Sequence, residues 1–203
     1  MRISQGSQSI KNLKKPVLSE KFRGWPVLNT EYCQKNCNLC SEICPAHAIT
    51  HKPLALDMGK CIFCGDCERI CPEQVIRFTG NYKTACSLYE NLIIKSHSEN
   101  HEKQAVKVNK IIKQKFGRSL KLRQVSAGGC NACEMELNAC SNVNFDMGRY
   151  GIEFVASPRH ADGVVITGPV SENMADALND TFSSIPEPRI IILVGACAIS
   201  GGI

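Results

Sequence analysis

The chain carries Cys61-Ile62-Phe63-Cys64-Gly65-Asp66-Cys67 followed by Cys71-Pro72, four cysteines at intervals of two, two and three residues closed by a proline. No other feature restricts the fold as much. Three thiols this close on one tight loop converge on a single inorganic group, while the turn before the proline carries the fourth toward a different one. Such an arrangement needs a second run, and Cys33, Cys37, Cys40 and Cys44-Pro45 supply it. The halves match beyond cysteine: Cys40-Ser-Glu-Ile-Cys44-Pro-Ala-His-Ala-Ile49 reads nearly in register with Cys67-Glu-Arg-Ile-Cys71-Pro-Glu-Gln-Val-Ile76. This duplication predicts two half-units related by a pseudo-twofold axis.

The spacing is that of bacterial iron–sulfur runs, so residues 30–80 are expected to form an α+β ferredoxin module with two [4Fe–4S] clusters. Ligation should cross over. Cys61, Cys64, Cys67 and Cys44 would hold one cluster, and Cys33, Cys37, Cys40 and Cys71 the other. A disulfide framework suits secreted chains, not one that opens without a signal sequence. Zinc sites pair Cys-x2-Cys units and have no use for the Cys-x3-Cys-Pro closure. One departure stands out: three residues, not two, separate Cys33 from Cys37, which calls for a local bulge.

At 203 residues the chain has room for one medium and one small domain. It shows neither a run of about 18 apolar residues nor the apolar segment of a signal peptide. A cytoplasmic, reducing location is therefore expected, peripheral to any membrane. Residues 1–123 hold 21 Lys and Arg against 10 Asp and Glu, and residues 124–203 hold 3 against 9. The basic residues are scattered and lack interleaved aromatics, which argues against nucleic acid and for protein partners.

Residues 1–29 are expected to be an arm and 81–117 a linker. In that linker Val108, Ile111, Ile112 and Phe116 share one face of an amphipathic helix spanning 102–116, with Lys107, Lys110 and Lys113 elsewhere. His97 and His101 read as exposed linker histidines. From 118 to 203 the pattern is α/β. Strands are expected at 120–125, 151–156, 163–167 and 190–194, with helices at 134–140 and 172–182. The apolar run 190–194 suggests a strand buried on both faces. Alternation of this kind predicts a flavodoxin-like parallel sheet. Cys130 and Cys133 would follow the first strand and Cys197 the fourth, so all three sit where open α/β sheets place their sites. Gly128 and Gly129 would let backbone approach an inorganic core. A third [4Fe–4S] cluster on three thiols is expected, with Cys86 and Cys140 structural. Glu134 reads either as a proton relay or as a carboxylate favoured by its helix N-terminus.

Two resemblances follow from these motifs. Residues from about 20 to 80, with Lys21-Phe22-Arg23-Gly24 and Gly59-Lys60-Cys61-Ile62-Phe63-Cys64-Gly65, resemble the ferredoxin-like subunit of formate hydrogenlyase complexes, itself similar to the 23 kDa subunit of complex I. Residues from about 115 onward, with Phe116-Gly117-Arg118-Ser119, Cys130-Asn131-Ala132-Cys133-Glu134, Pro158-Arg159-His160-Ala161-Asp162, Thr167-Gly168 and Gly195-Ala196-Cys197, resemble the small subunit of group 4 NiFe hydrogenases and the 20 kDa subunit of complex I. The resemblance implies an electron-transfer subunit beside a NiFe large subunit in a membrane-bound complex, with no catalytic residue of its own. Cys-x2-Cys at the first ligand pair, where complex I has adjacent cysteines, points to hydrogenase. Relatives carry a fourth ligand in a Gly-Cys-Pro-Pro stretch that this sequence lacks, so the chain is expected to be truncated and the third site incompletely ligated. Alternatives are a ferredoxin-type carrier without a third cluster and a quinone-linked dehydrogenase subunit.

Overall fold

A computed structural model of the chain describes residues 10, 12, 15–34, 36–95, 113–117 and 119–202. His97, His101 and most of the expected amphipathic helix lie outside the described residues; 113–116 are helical. Two compact units divide the chain. One is Leu18–Ile111, and the other joins Met1–Val17 to Ile112–Gly202.

The first unit shows its duplication in the backbone. Strand β1 (Pro26–Leu28) pairs antiparallel with β4 (Ile76–Phe78), and β2 (Ile49–His51) pairs antiparallel with β3 (Leu54–Asp57). Each cysteine run contains a single short helix, α1 (Leu39–Glu42) and α2 (Asp66–Ile70), on which the third cysteine, Cys40 or Cys67, points inward. The turns after the prolines match in detail. His47 and Gln74 both take positive φ, at 46° and 48°. His47 N–H donates to Cys44 O and Gln74 N–H to Cys71 O, at 3.1 and 3.2 Å.

The boundaries of this unit are wider than the cysteine runs imply. β1 and the buried Trp25 lie in the stretch read as an arm. Gly24 N–H donates to Thr79 O and Trp25 N–H to Asn81 O, lacing that stretch to the end of the second repeat. Beyond residue 80, β5 (Ile93–Ile94) pairs with β3, burying Leu92 and Ile94 in what was expected to be linker. The reason is size. Strands of two to four residues make a small core, and Leu28, Leu56, Ile76 and Ile94 all become fully buried to form it. Each such side chain contributes about 1.5–3 kcal/mol.

The second unit is a four-stranded parallel sheet in the order β7-β6-β8-β9, with β6 at Leu120–Ser126, β7 at Ile152–Phe154, β8 at Gly163–Thr167 and β9 at Ile190–Val194. Counted within the unit, that order is 2-1-3-4, the flavodoxin-like pattern. Helix α3 (Ala132–Ala139) follows β6, α4 (Glu172–Ser183) follows β8, and α5 (Ala196–Ser200) follows β9. Met174, Leu178 and Phe182, spaced by one helical turn each on α4, pack over Val125, Val164 and Ile166. β8 is buried along its whole length.

β9 is not the doubly buried strand that its run of apolar residues suggested. It forms the edge of the sheet, and Ile191 and Leu193 are exposed while their neighbours are half-buried. Successive side chains of a strand point to opposite faces, and one face of β9 is left open, so the alternation appears in burial although it is absent from sequence. Asp162 fastens the opposite end of the sheet: its carboxylate accepts from Lys121 N–H (2.7 Å), and its carbonyl accepts from Ile190 N–H (3.1 Å). The Pro158–Asp162 motif thus sits at the amino ends of the strands, away from the thiols.

Candidate metal centres

Eight of the thiols fall into two sets of four, each drawn from both repeats. Cys33, Cys37, Cys40 and Cys71 line one small cavity with Leu39, Leu54 and Val75. Cys44, Cys61, Cys64 and Cys67 line another with Ile49, Leu56 and Phe78. The crossover arises because Cys44 and Cys71 each stand beyond the helix of their own run, where the chain turns toward its twin.

Electrostatics divides the thiols in the same way. Burial pushes the Cys67 thiol up to about 12, helped by Cys61, Cys64 and Cys44. It pushes Cys61 up to about 11, with Cys44, Cys64 and Asp57 adding to the shift. Burial also raises Cys40, with Cys71, Cys33 and Cys37 next in effect, and raises Cys33, with Cys37 and Cys71. For each of these four thiols, the perturbing cysteines belong to its own set. Four thiols in an apolar pocket keep their protons unless a cation compensates the thiolate charge.

Backbone amides are already aimed at sulfur. Ala48 N–H donates to Cys44 Sγ at 3.3 Å and Val75 N–H to Cys71 Sγ at 3.4 Å, another repeat-related pair. Phe63 N–H donates to Cys61 Sγ at 3.4 Å. Such bonds stabilise a metal thiolate and shift cluster potential.

The second unit assembles its thiols at the carboxyl ends of its strands. Parallel register places Ser126 beside Thr167, and Thr167 beside Val194. Cys130 and Cys133 follow β6, and Cys197 lies in the first turn of α5, not in a loop. Burial raises the Cys133 thiol, followed in effect by Glu134, Cys130 and Cys197. Gly195 permits the approach: at φ 88° a Cβ there would lie 2.4 Å from Cys133 Sγ. A Cβ on Gly129 would meet Gly168 Cα at 3.0 Å, so loop packing within the protein also favours a glycine there. Cys140 ends α3, tied to Glu136 O and Met147 N–H through its backbone. It does not act on Cys133. Cys86 is half-buried, with Asn91 O at 3.7 Å, and no thiol perturbs it.

Glu134 is buried directly behind this site. Its Oε1 accepts from Ser126 Oγ and from Thr167 Oγ1, both at 2.6 Å, and these two bonds hold the carboxyl below its usual range. Neither partner was identified from sequence. The signal available was a hydroxyl residue at the end of each of two strands destined to be neighbours.

Residues 54–77 match the 4Fe-4S binding domain family, and residues 130–203 match the NADH ubiquinone oxidoreductase 20 Kd subunit family. The chain is 44% identical over 86 residues to an uncharacterized protein of Methanocaldococcus jannaschii, covering 42% of this chain and 58% of that one. It is 34% identical over 108 residues to the probable membrane-bound hydrogenase subunit mbhJ of Pyrococcus furiosus, covering 53% and 62%. To formate hydrogenlyase subunit 7 of Escherichia coli it is 44% identical over 90 residues, covering 44% and 35%. The chain thus spans about three-fifths of the length of the first two relatives and about a third of the other. Among the described residues no helix is long and apolar enough to cross a membrane. The chain therefore joins a segment that matches the 4Fe-4S binding domain family to a segment that matches the NADH ubiquinone oxidoreductase 20 Kd subunit family.

Proposed function

We propose that this protein is an electron-transfer subunit of a membrane-bound hydrogenase-type complex, holding two [4Fe–4S] clusters in its first unit and a third iron–sulfur site in its second. Cys33, Cys37, Cys40 and Cys71 would hold one cluster, and Cys44, Cys61, Cys64 and Cys67 the other. Cys130, Cys133 and Cys197 contribute three ligands to the third site, next to a NiFe-type large subunit. When bound, each cluster accepts and releases one electron. The chain's own residues give the thiolates, exclude water with Leu39, Leu54, Ile49, Leu56 and Phe78, and orient amides toward sulfur. The observation that carries the reading is the sorting of eight thiols into two four-thiol cavities, each containing one cysteine from the opposite repeat. The similarity to subunits named for membrane-bound hydrogenase and formate hydrogenlyase supports the choice of complex.

The test uses four variants of the full chain, reconstituted anaerobically with iron and sulfide. Wild type should take up about 8 irons in stable four-iron clusters. Cys71→Ala should perturb the same reduced-state EPR signal as Cys37→Ala, and Cys44→Ala the same signal as Cys64→Ala. If Cys71→Ala instead perturbs the signal of Cys64→Ala, the crossed assignment is wrong.

A further inference from the structure

Both ring nitrogens of His51 are shielded from solvent, and among the described residues neither has a hydrogen-bond partner. An imidazole always carries at least one N–H, and a buried donor left unpaired loses far more than a made hydrogen bond returns. A missing acceptor near His51 is therefore the simplest account of its position.

The internal repeat says where that acceptor lies. The register that aligns Ile49 with Ile76 continues two residues further and sets His51 against Phe78, the last residues of β2 and β4. Phe78 lines the cavity of Cys44, Cys61, Cys64 and Cys67. Under the pseudo-twofold relation its counterpart lies on the side of the other cavity, whose wall is formed by Leu39, Leu54 and Val75 around the thiols and not by His51 itself. Local contacts agree. The cross-strand partner of His51 is Leu54, which lines the cavity of Cys33, Cys37, Cys40 and Cys71. His51 itself borders an adjoining pocket together with Leu54, Cys33 and Gln34. Its strand neighbour Ile49, on the same face, lines the Phe78 cavity. The module thus has an aromatic hydrocarbon on one side and an imidazole on the other.

We propose that His51 donates a hydrogen bond from its ring to a sulfur of the cluster held by Cys33, Cys37, Cys40 and Cys71, and that this bond places that cluster's potential above that of its twin. The proposal rests on the two-cluster reading above. Reduction adds one negative charge to the cluster, and a hydrogen bond to its sulfur grows stronger as that charge appears. The bond therefore stabilises the reduced form over the oxidised one. Phe78 offers the other cluster nothing comparable, so an electron shared by the module rests preferentially beside His51.

The experiment uses the full chain with its clusters reconstituted. His51→Phe copies the residue found at the equivalent place in the second repeat, so the fold has a precedent for it. Iron content should be unchanged, and the midpoint of one cluster should fall. The electron's distribution should move roughly tenfold toward the Cys61, Cys64, Cys67 cluster, about 59 mV for a one-electron couple. His51→Gln, which keeps an N–H donor, should recover part of the shift. With 15N-labelled histidine, the reduced wild-type cluster should show a nitrogen hyperfine coupling that His51→Phe lacks. Two unchanged midpoints at full iron content would overturn the proposal. Loss of about four irons in His51→Phe would also overturn it, by making His51 a ligand instead. A wild type with only one four-iron cluster in the module would refute the two-cluster reading itself, and the proposal with it.

Discussion

At the scale of single residues, the chemistry is set by groups that bury charge or protons beside sulfur. Glu134 is 6% exposed, and its carboxylate is the shared acceptor for Ser126 and Thr167. Glu134→Ala should destabilise the protein by about 1–3 kcal/mol, because the buried Thr167 hydroxyl loses a short hydrogen bond to a charged acceptor. Glu134→Gln, which retains a carbonyl oxygen, should cost less. Urea unfolding at constant m-value reads both, and an Ala variant within about 0.5 kcal/mol of wild type would show that the hydroxyls do not depend on the carboxylate. Tyr89 offers a pH-dependent counterpart. Burial, followed by its 2.7 Å hydrogen bond to Asp57 Oδ2, pushes the phenol up to about 12. Because the folded value exceeds the unfolded one, near 10, folding favours the neutral phenol. Its contribution is complete below about pH 10 and is lost as pH rises through about 12. Ultraviolet titration should show a phenolate step near pH 12 that Tyr89→Phe removes.

At the scale of elements, placement in the sheet outweighs composition. β8 and β9 read almost alike as sequence, Gly-Val-Val-Ile-Thr and Ile-Ile-Ile-Leu-Val. One is central and buried throughout; the other is an edge whose Ile191 and Leu193 face solvent. Ile166→Ala in β8 should therefore cost about 2–5 kcal/mol through lost burial and a residual cavity under α4. Leu193→Ala in β9 should stay within about 0.5 kcal/mol. Thermal or urea melts of the two variants check the contrast, and equal costs would mean that β9 is covered in the folded protein. Helix α4 owes its end to Arg189, which stacks 4.0 Å from the Phe182 ring and donates to the carbonyls of Phe182 and Ile185. A cation at that position also suits the negative end of the helix dipole.

At the scale of the whole molecule, the chain couples a thiol-rich module to a sheet whose own thiols lie at its carboxyl edge. Short strands and a small core leave the first unit dependent on whatever binds its two cavities, since metal binding in small domains is part of their folding free energy. The second unit, with a parallel sheet and a covering helix, has less need of such help. Affinity capture of the tagged protein from its native cell should return a NiFe-type large subunit, identified by mass spectrometry. Recovery of quinone-reductase subunits alone would overturn the hydrogenase-type assignment while leaving the iron–sulfur sites standing.

Sequence alone determined the features that rest on spacing. Cysteine intervals, the proline after each run and the repeat from Cys40 to Ile76 identified both thiol sets, because a tight loop allows few ways to present three sulfurs. The four strands of the second unit were legible for a similar reason, as apolar runs between glycine and proline breaks. Tertiary structure alone decided which residues became neighbours across those elements. Ser126 meets Thr167 over Glu134 only through the register of β6 on β8. Trp25 and Ile94 join the module only because its short strands need their burial. β9 became an edge because strand order, and not hydrophobicity, determines which strand lacks a second neighbour. His51 belongs with these: its sequence marks only a polar residue where the repeat has phenylalanine, and the fold encloses both nitrogens without a partner among the described residues.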